Sequence, residues 1–329
     1  MSIEEFKQSW EDESDSILVH TSGSTGKPKP MMANKQRMLN SARITCDFLG
    51  LRPHDTALLC MSLDYIAGKM MVVRSIERNL RLISVKPNGH PLSEESLSND
   101  LLQEIGHIDF AAMVPMQVYN SLQVPEERER LTHIRHLIIG GGAIDEALGK
   151  ELATMPNAVW STYGMTETLS HIALRRLNGK EASSWYMPFN SVGVSLNEEG
   201  CLVIDAPLVC EHPLVTNDIA EIKESPHGGK PLFRIKGRKD NVICSGGIKI
   251  QIEEVEDALR KNIDAPFMIV KKRDEKFGEI GVLLTESHDL AHIKDICKAT
   301  LPKYWVPRLF LHTDHLPMTE TGKPKRNIF

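Results

Sequence analysis

The chain has 329 residues, a formal net charge of −5 and 25% charged residues. That length allows more than one domain and a substantial core. Both signs of charge are spread along the sequence, which excludes the basic face of a nucleic-acid binder and the polybasic patch of a membrane-surface protein. The apolar runs are too short to span a bilayer, so no membrane insertion is expected. Six cysteines, at 46, 60, 201, 210, 244 and 297, show no C-x-x-C spacing. They read as buried thiols of a reducing cytoplasm rather than as a zinc site or disulfide framework. Residues 1–16 are acidic and polar and do not resemble a signal peptide, so a cytoplasmic location is expected.

The first apolar run, Ile17-Leu18-Val19, reads as a strand. It leads into Thr21-Ser22-Gly23-Ser24-Thr25-Gly26-Lys27-Pro28-Lys29, and Asn34 then caps a helix through Leu39, Ile44 and Phe48. A strand, a glycine-rich loop and a helix together form a layout that holds phosphate. Gly23 and Gly26 let backbone N–H groups converge on an anion; Ser22, Ser24 and Thr25 add donors, and Lys29 adds charge. The loop is not a Walker A sequence, which needs glycine where Thr21 stands and Ser or Thr where Pro28 stands.

Strand and helix then alternate to about residue 175. Strands are expected at Thr56–Met61, Leu80–Val85, Ile108–Val114, Arg135–Ile139 and Ala158–Ser161. Helices are expected at Ala67–Arg78, from Ser93 to about Ile105, at Pro115–Leu122, and from Asp145 to about Thr154. This alternation argues for an α/β fold with a mostly parallel sheet. Leu137-Ile138-Ile139 fits a strand buried on both faces. From about 180 to 239 strands are short and turns frequent, as in a small β subdomain. After Gly237-Arg238-Lys239-Asp240 come a helix at Ile252–Asn262, strands near Phe267–Val270 and Gly281–Leu284, and a helix near Leu290–Leu301. The expected division is therefore a large domain over 1–239 and an α+β domain over 240–329.

Four more motifs follow the loop in order. Gly140-Gly141-Gly142-Ala143 ends a buried strand, where bare backbone can face a flat ring; taken alone, a simple turn is the better explanation. Tyr163-Gly164-Met165-Thr166-Glu167-Thr168 follows another strand. Asp218 precedes Arg238 by twenty residues. The sequence closes with Pro317-Met318-Thr319-Glu320-Thr321-Gly322-Lys323-Pro324-Lys325-Arg326.

Taken together, the nonapeptide and these motifs resemble the signatures of the adenylate-forming enzymes: acyl-CoA synthetases, adenylation domains of non-ribosomal peptide synthesis, and luciferases. The resemblance covers nearly the whole chain. It implies a ligase that uses ATP, Mg²⁺ and CoA to convert a small-molecule carboxylate to a thioester through an acyl-adenylate. It assigns phosphate to Thr21, Ser22, Gly23, Ser24, Thr25, Gly26 and Lys29, and adenine to Gly140, Gly141, Gly142, Ala143, Tyr163 and Gly164. Thr166 would contact phosphate, Glu167 would carry Mg²⁺, and Asp218 with Arg238 would hold the ribose. Lys323 would stabilise charge during adenylation. Asp240 matches the hinge of a mobile C-terminal domain, and Ser245, Gly246 and Gly247 match the segment lining the CoA path. Family members normally carry a long subdomain before the phosphate loop, whereas only twenty residues precede Thr21 here, so a naturally short branch, a lobe supplied elsewhere and a homodimer all stay open.

The acyl pocket of the family follows a short motif that here runs from Ser62 to Arg74. Tyr65, Lys69 and Arg74, with Ser170 and His171, are the candidates for holding the acid. Arg74 stands six residues after Gly68, a placement similar to that in o-succinylbenzoyl-CoA synthetases of menaquinone biosynthesis, whose substrate has a second carboxylate. Tyr65 replaces the usual histidine of that motif. Other readings are an aryl, fatty or amino acid adenylating enzyme, with Asp64 available to face an α-amino group, or a non-catalytic nucleotide-binding module.

Overall fold

The computed structural model describes residues 1–20, 30–226, 228–318 and 324–329. Contacts divide the chain into two compact units: Met1–Val194, Ile204–Leu214 and Lys223–Phe233 in one, and Ser195–Val203, Val215–Ile222 and Arg234–Phe329 in the other.

The first unit opens with helix α1 (Ile3–Glu11), started by a reciprocal cap. Ser2 Oγ accepts the Glu5 N–H, and the Glu5 carboxylate accepts the Ser2 N–H. Strand β1 (Ser16–His20) pairs antiparallel with β2 (Pro30–Asn34), a strand the sequence pattern did not reveal. Asn34 caps α2 (Lys35–Leu49) through its side-chain oxygen, 3.0 Å from the Arg37 nitrogen. There follow β3 (Thr56–Leu59), α3 (Ile66–Arg78), β4 (Arg81–Ser84), α4 (Asn99–Ile105), β5 (Phe110–Met113), α5 (Pro115–Gln123), α6 (Pro125–Thr132), β6 (His136–Ile139), α7 (Glu146–Ala153), β7 (Ala158–Gly164), β8 (His171–Arg176) and β9 (Met187–Pro188).

Strands β3 to β9 form one mixed sheet in the order β4-β3-β5-β6-β7-β8-β9. From β4 to β7 every pairing is parallel; β8 and β9 then pair antiparallel. Continuous apolar strands such as Leu137-Ile138-Ile139 are buried on both faces, as a helix-covered parallel sheet requires. Leu58, Leu92, Leu97, Met113, Val118 and Leu137 meet in one cluster of this core. The helix expected from Ser93 begins only at Asn99, with Ser98 as its cap. Ser93 instead turns the chain, its Oγ accepting the Ser96 N–H at 3.3 Å. Short hydroxyl side chains that bond nearby backbone compete with helix in this way.

Between 193 and 238 the strands β10 (Gly193–Leu196), β11 (Cys201–Asp205), β12 (Leu214–Lys223) and β13 (Leu232–Arg238) hydrogen-bond in that order. The last part of the second unit contains β14 (Val242–Ser245), β15 (Ile248–Gln251), α8 (Ile252–Leu259), β16 (Phe267–Asp274), β17 (Gly278–Thr285), α9 (Leu290–Thr300) and β18 (Leu309–His312). Its sheet runs β15-β14-β17-β16, with β18 parallel to β17. Ile243, Val255, Leu259, Ile269, Leu283 and Cys297 form its core. Among the described residues no helix is long and apolar enough to cross a membrane.

Candidate active site

In an open parallel sheet, ligands gather beyond the carboxyl ends of the strands. Two of the expected motifs stand there in the first unit. Strands β6 and β7 run parallel, with Ile139 opposite Ser161. Gly140 to Ala143 therefore leave β6 beside the residues that lead to Tyr163. A Cβ on Gly140 would lie 2.4 Å from Thr162 Oγ1, so a side chain there would have to displace the Thr162 hydroxyl. Gly141, Gly142 and Ala143 are exposed, and Gly141 has φ +81°.

Tyr163 sits in an aromatic group that the sequence did not reveal. Its ring centre is 5.1 Å from that of Phe233 and 5.7 Å from that of Tyr186. Arg175 lies over the Tyr186 ring at 5.1 Å. The chain then tightens into a short turn, Thr166–Thr168, with both threonines buried and Glu167 exposed between them. Thr168 Oγ1 accepts the Met165 N–H at 3.0 Å, which fixes the turn that presents Glu167. Among the described residues no cluster of three or more His, Cys, Asp or Glu could hold a metal. An exposed single carboxylate still suits Mg²⁺, which retains water and leans on substrate phosphates rather than on a protein cage.

Gly164 is where β7 and β8 slip register. A Cβ there would meet the Ser170 carbonyl oxygen at 2.3 Å and His171 Cα at 2.4 Å, both backbone. Gly164→Ala is expected to lower the denaturant midpoint, by the 1–3 kcal/mol or more typical of overpacking, and to depress activity by displacing Ser170 and His171. A midpoint and a rate equal to those of the natural protein would contradict this.

Arg74 is the most unusual side chain in the unit. It lies on α3 and is only 2% exposed. Its Nη2 donates to Ser170 Oγ at 2.6 Å, its Nη1 reaches only the Met71 sulfur at 3.8 Å, and the guanidinium lies 5.9 Å from the Phe110 ring centre. Its Nε is buried without a hydrogen-bond partner among the described residues. No carboxylate pairs with it among those residues either. Burial lowers its pKa to about 10, which leaves it charged at neutral pH. A buried cation without an anion is costly, and such a group is a natural receptor for an anionic ligand. Close by, His171 is buried, and burial followed by the Arg74 charge holds its pKa well below the ordinary value. It is therefore neutral.

Lys69, expected beside Arg74, points elsewhere. Five positions put it about 140° away around the helix. It is 3% exposed, and its Nζ donates to the Leu18 carbonyl of β1 at 3.2 Å. Burial lowers its pKa, against the pull of Asp64. Tyr65 stands at the start of α3, 39% exposed, its carbonyl accepting the Lys69 N–H. Asp64 is exposed, accepting a bond from Ser62 Oγ and lying 3.4 Å from the chain's own N-terminal amine. Structure thus brings Arg74, Ser170 and His171 together and leaves Lys69 and Tyr65 apart from them.

The second unit holds the remaining described candidates. Arg238 reaches Asp218 at 3.4 Å and Asp240 at 2.9 Å, and Asn217 donates to Asp240 at 3.4 Å. The expected ribose pair and the expected hinge residue therefore share one guanidinium. Ser245 ends β14, and Gly246 and Gly247, at φ +57° and +84°, make the tight two-residue turn into β15. The described end of the chain is locked by Arg326, whose fork meets both oxygens of Glu256 at 2.6 and 2.8 Å. Thr21, Ser22, Gly23, Ser24, Thr25, Gly26, Lys29 and Lys323 lie outside the described residues.

A family model described as "AMP-binding enzyme" matches residues 3–211. The chain belongs to this family. With relatives named as CoA ligases beside that match, it is an AMP-forming acid–CoA ligase. It is 31% identical in sequence to an acyl-CoA synthetase (AMP-forming)/AMP-acid ligase II-like protein of Dyadobacter fermentans, with 98% of this chain and 91% of that one covered and a TM-score of 0.65. It is 26% identical to the 2-succinylbenzoate–CoA ligase of Listeria innocua, over 97% of this chain and 70% of the relative. Its fold is also that of the o-succinylbenzoate CoA synthetase of Bacillus subtilis, at 23% identity and TM-score 0.75, with 94% of this chain and 68% of that one covered. That enzyme has been solved with its acyl-adenylate intermediate and with ATP and a magnesium ion.

Proposed function

We propose that this AMP-forming ligase activates an aromatic dicarboxylic acid, 2-succinylbenzoate, and transfers it to CoA. The observation that carries the substrate reading is Arg74, a buried guanidinium facing no carboxylate among the described residues. A fatty acid would leave that charge uncompensated, and an amino acid would require an acid at its ammonium group. Asp64 does not fit that role, because it is exposed and engaged with Ser62 and the N-terminus.

In the first step a carboxylate oxygen attacks the α-phosphorus of ATP. The new P–O bond gives the acyl-adenylate, and pyrophosphate leaves. In the second, the CoA thiolate attacks the acyl carbonyl and AMP leaves. Glu167 would hold Mg²⁺, which neutralises phosphate charge. Tyr163 and the backbone at Gly140 to Ala143 would bind adenine, Thr166 a phosphate, and Asp218 with Arg238 the ribose. The nonapeptide would cradle the phosphates. Asp240 would be the hinge of a mobile C-terminal domain over 240–329, and Ser245, Gly246 and Gly247 would line the CoA path.

The reading is tested by pyrophosphate release with a panel of acids, with and without CoA. Release with 2-succinylbenzoate, and none with benzoate, a fatty acid or an amino acid, is expected. Release with one of those acids and not with 2-succinylbenzoate refutes the substrate. The two half-reactions should also separate. Removing one group that stabilises developing charge costs about 10²–10³ in rate. Lys323→Ala is expected to show that loss in adenylation while still converting supplied acyl-adenylate and CoA to thioester. Equal slowing of both steps in single-turnover measurements would argue against alternation.

A further inference from the structure

Arg74 ends a chain of hydrogen bonds that begins on another helix. Its Nη2 lies 2.6 Å from Ser170 Oγ. Ser170 Oγ lies 3.3 Å from His171 Nδ1, and His171 Nε2 lies 3.0 Å from Thr45 Oγ1 on α2. Thr45 Oγ1 lies 3.1 Å from the Ser41 carbonyl oxygen. Ser41, Thr45 and His171 are all buried, with Thr45 at 0% exposure.

The two ends of this chain fix its direction. A guanidinium can only donate, so Ser170 Oγ accepts from Arg74. A carbonyl can only accept, so when Thr45 gives its one proton to Ser41 its oxygen is free to accept from His171 Nε2. With His171 protonated on Nε2, each donor in the chain has an acceptor: Arg74 to Ser170, Ser170 to His171 Nδ1, His171 Nε2 to Thr45, and Thr45 to Ser41. With the proton on Nδ1 instead, the Ser170 hydroxyl hydrogen has no partner in the chain. Buried donors are rarely left unpaired, so the first arrangement is favoured.

We infer that Thr45 is a positioning residue for the acid site: it holds neutral His171 as the Nε2–H tautomer, which turns Ser170 so that its lone pair anchors Arg74. This rests on the reading of Arg74 as the carboxylate receptor. Thr45 itself is placed to touch neither acid nor nucleotide; it acts through His171 and Ser170. The Arg74 Nε, which has no partner among the described residues, is then left for the ligand.

Thr45→Val keeps the shape and removes the acceptor, whereas Thr45→Ser keeps the hydroxyl. Thr45→Val is expected to raise KM for 2-succinylbenzoate about tenfold, the scale of one buried donor left unmet, with kcat and KM for ATP within about twofold. Thr45→Ser is expected to restore the natural KM. Equal changes in KM for both substrates, or failure of Thr45→Ser to rescue, would overturn the inference. A second readout needs no substrate. In long-range ¹H–¹⁵N spectra of histidine-labelled protein, with the His171 signals assigned by their loss in His171→Asn, Nε2 should be protonated and Nδ1 bare. In Thr45→Val the Nδ1–H form should appear. A natural protein with protonated Nδ1 sinks the proposal whichever acid is activated. An unchanged KM in an Arg74 variant, with the tautomer as expected, sinks the substrate reading and with it the acid-site role of Thr45, leaving only the control of the His171 tautomer.

Discussion

Arg74→Met is expected to raise KM for 2-succinylbenzoate by a factor of about 30 to several thousand, with KM for ATP nearly unchanged. That range follows from the roughly 2–5 kcal/mol lost when one partner of a buried charge pair is removed from the other. The same substitution should leave stability unchanged or raise it. In the unliganded protein Arg74 has no carboxylate among the described residues; it has one hydrogen bond to Ser170 and a weak contact with Met71. Its desolvation is therefore poorly offset, and an apolar side chain of similar length removes that cost. Opposite signs on binding and stability separate a receptor from a structural cation. The measurements are steady-state kinetics with each substrate varied and a denaturant titration. A marked loss of stability with an unaltered KM for the acid would show that Arg74 serves the fold alone.

The second large effect belongs to Arg326. Removing one member of a buried ion pair typically costs about 3–5 kcal/mol, because the other charge is left without compensation. Arg326 and Glu256 form such a pair, with 15% and 6% of the two side chains exposed. Arg326 Nη1 also donates to the Ile269 carbonyl at 2.5 Å, and Glu256 accepts the Ile269 N–H at 2.7 Å. One fork thus ties the end of the chain to α8 and β16. Arg326→Ala is expected to destabilise the second unit near the lower end of that range, since Arg260 lies 4.0 Å from Glu256 and softens the loss. The double replacement Arg326→Leu with Glu256→Met should recover part of it, though not all, because Ile269 N–H loses its acceptor. Denaturant titration of the three proteins decides. A loss under about 1 kcal/mol for Arg326→Ala would show that the fork is screened by solvent.

These two arginines show where sequence reading stops. Both stood in motifs that were legible as linear patterns. For Arg74 the spacing from Gly68 pointed to the acid pocket. The spacing could not tell whether a carboxylate from elsewhere in the chain already occupied the guanidinium. For Arg326 the terminal motif carried a chemical role only at Lys323, and nothing in its order showed that the Arg326 guanidinium is spent on Glu256, seventy residues earlier. Partnership at such separations is a property of the fold and leaves no local trace.

What the sequence determined by itself was set by local physics. Continuous apolar strands alternating with capped helices dictate a parallel, helix-covered sheet. The caps at Asn34 and Asp145 were readable because a short polar side chain before a periodic run has one obvious use. The glycines from 140 to 142 were readable as bare backbone for a flat ring, whereas the close approach of Gly164 to Ser170 and His171 appeared only in the fold. Tertiary structure decided the rest. It separated Lys69 from Arg74, because adjacent turns of one helix face different neighbours. It assembled the Tyr163, Tyr186 and Phe233 group from three distant segments. It also set Thr45 behind His171 across 126 positions of sequence. A threonine inside a helix carries no signal of its own; its proposed role exists only because folding buries it against one imidazole nitrogen.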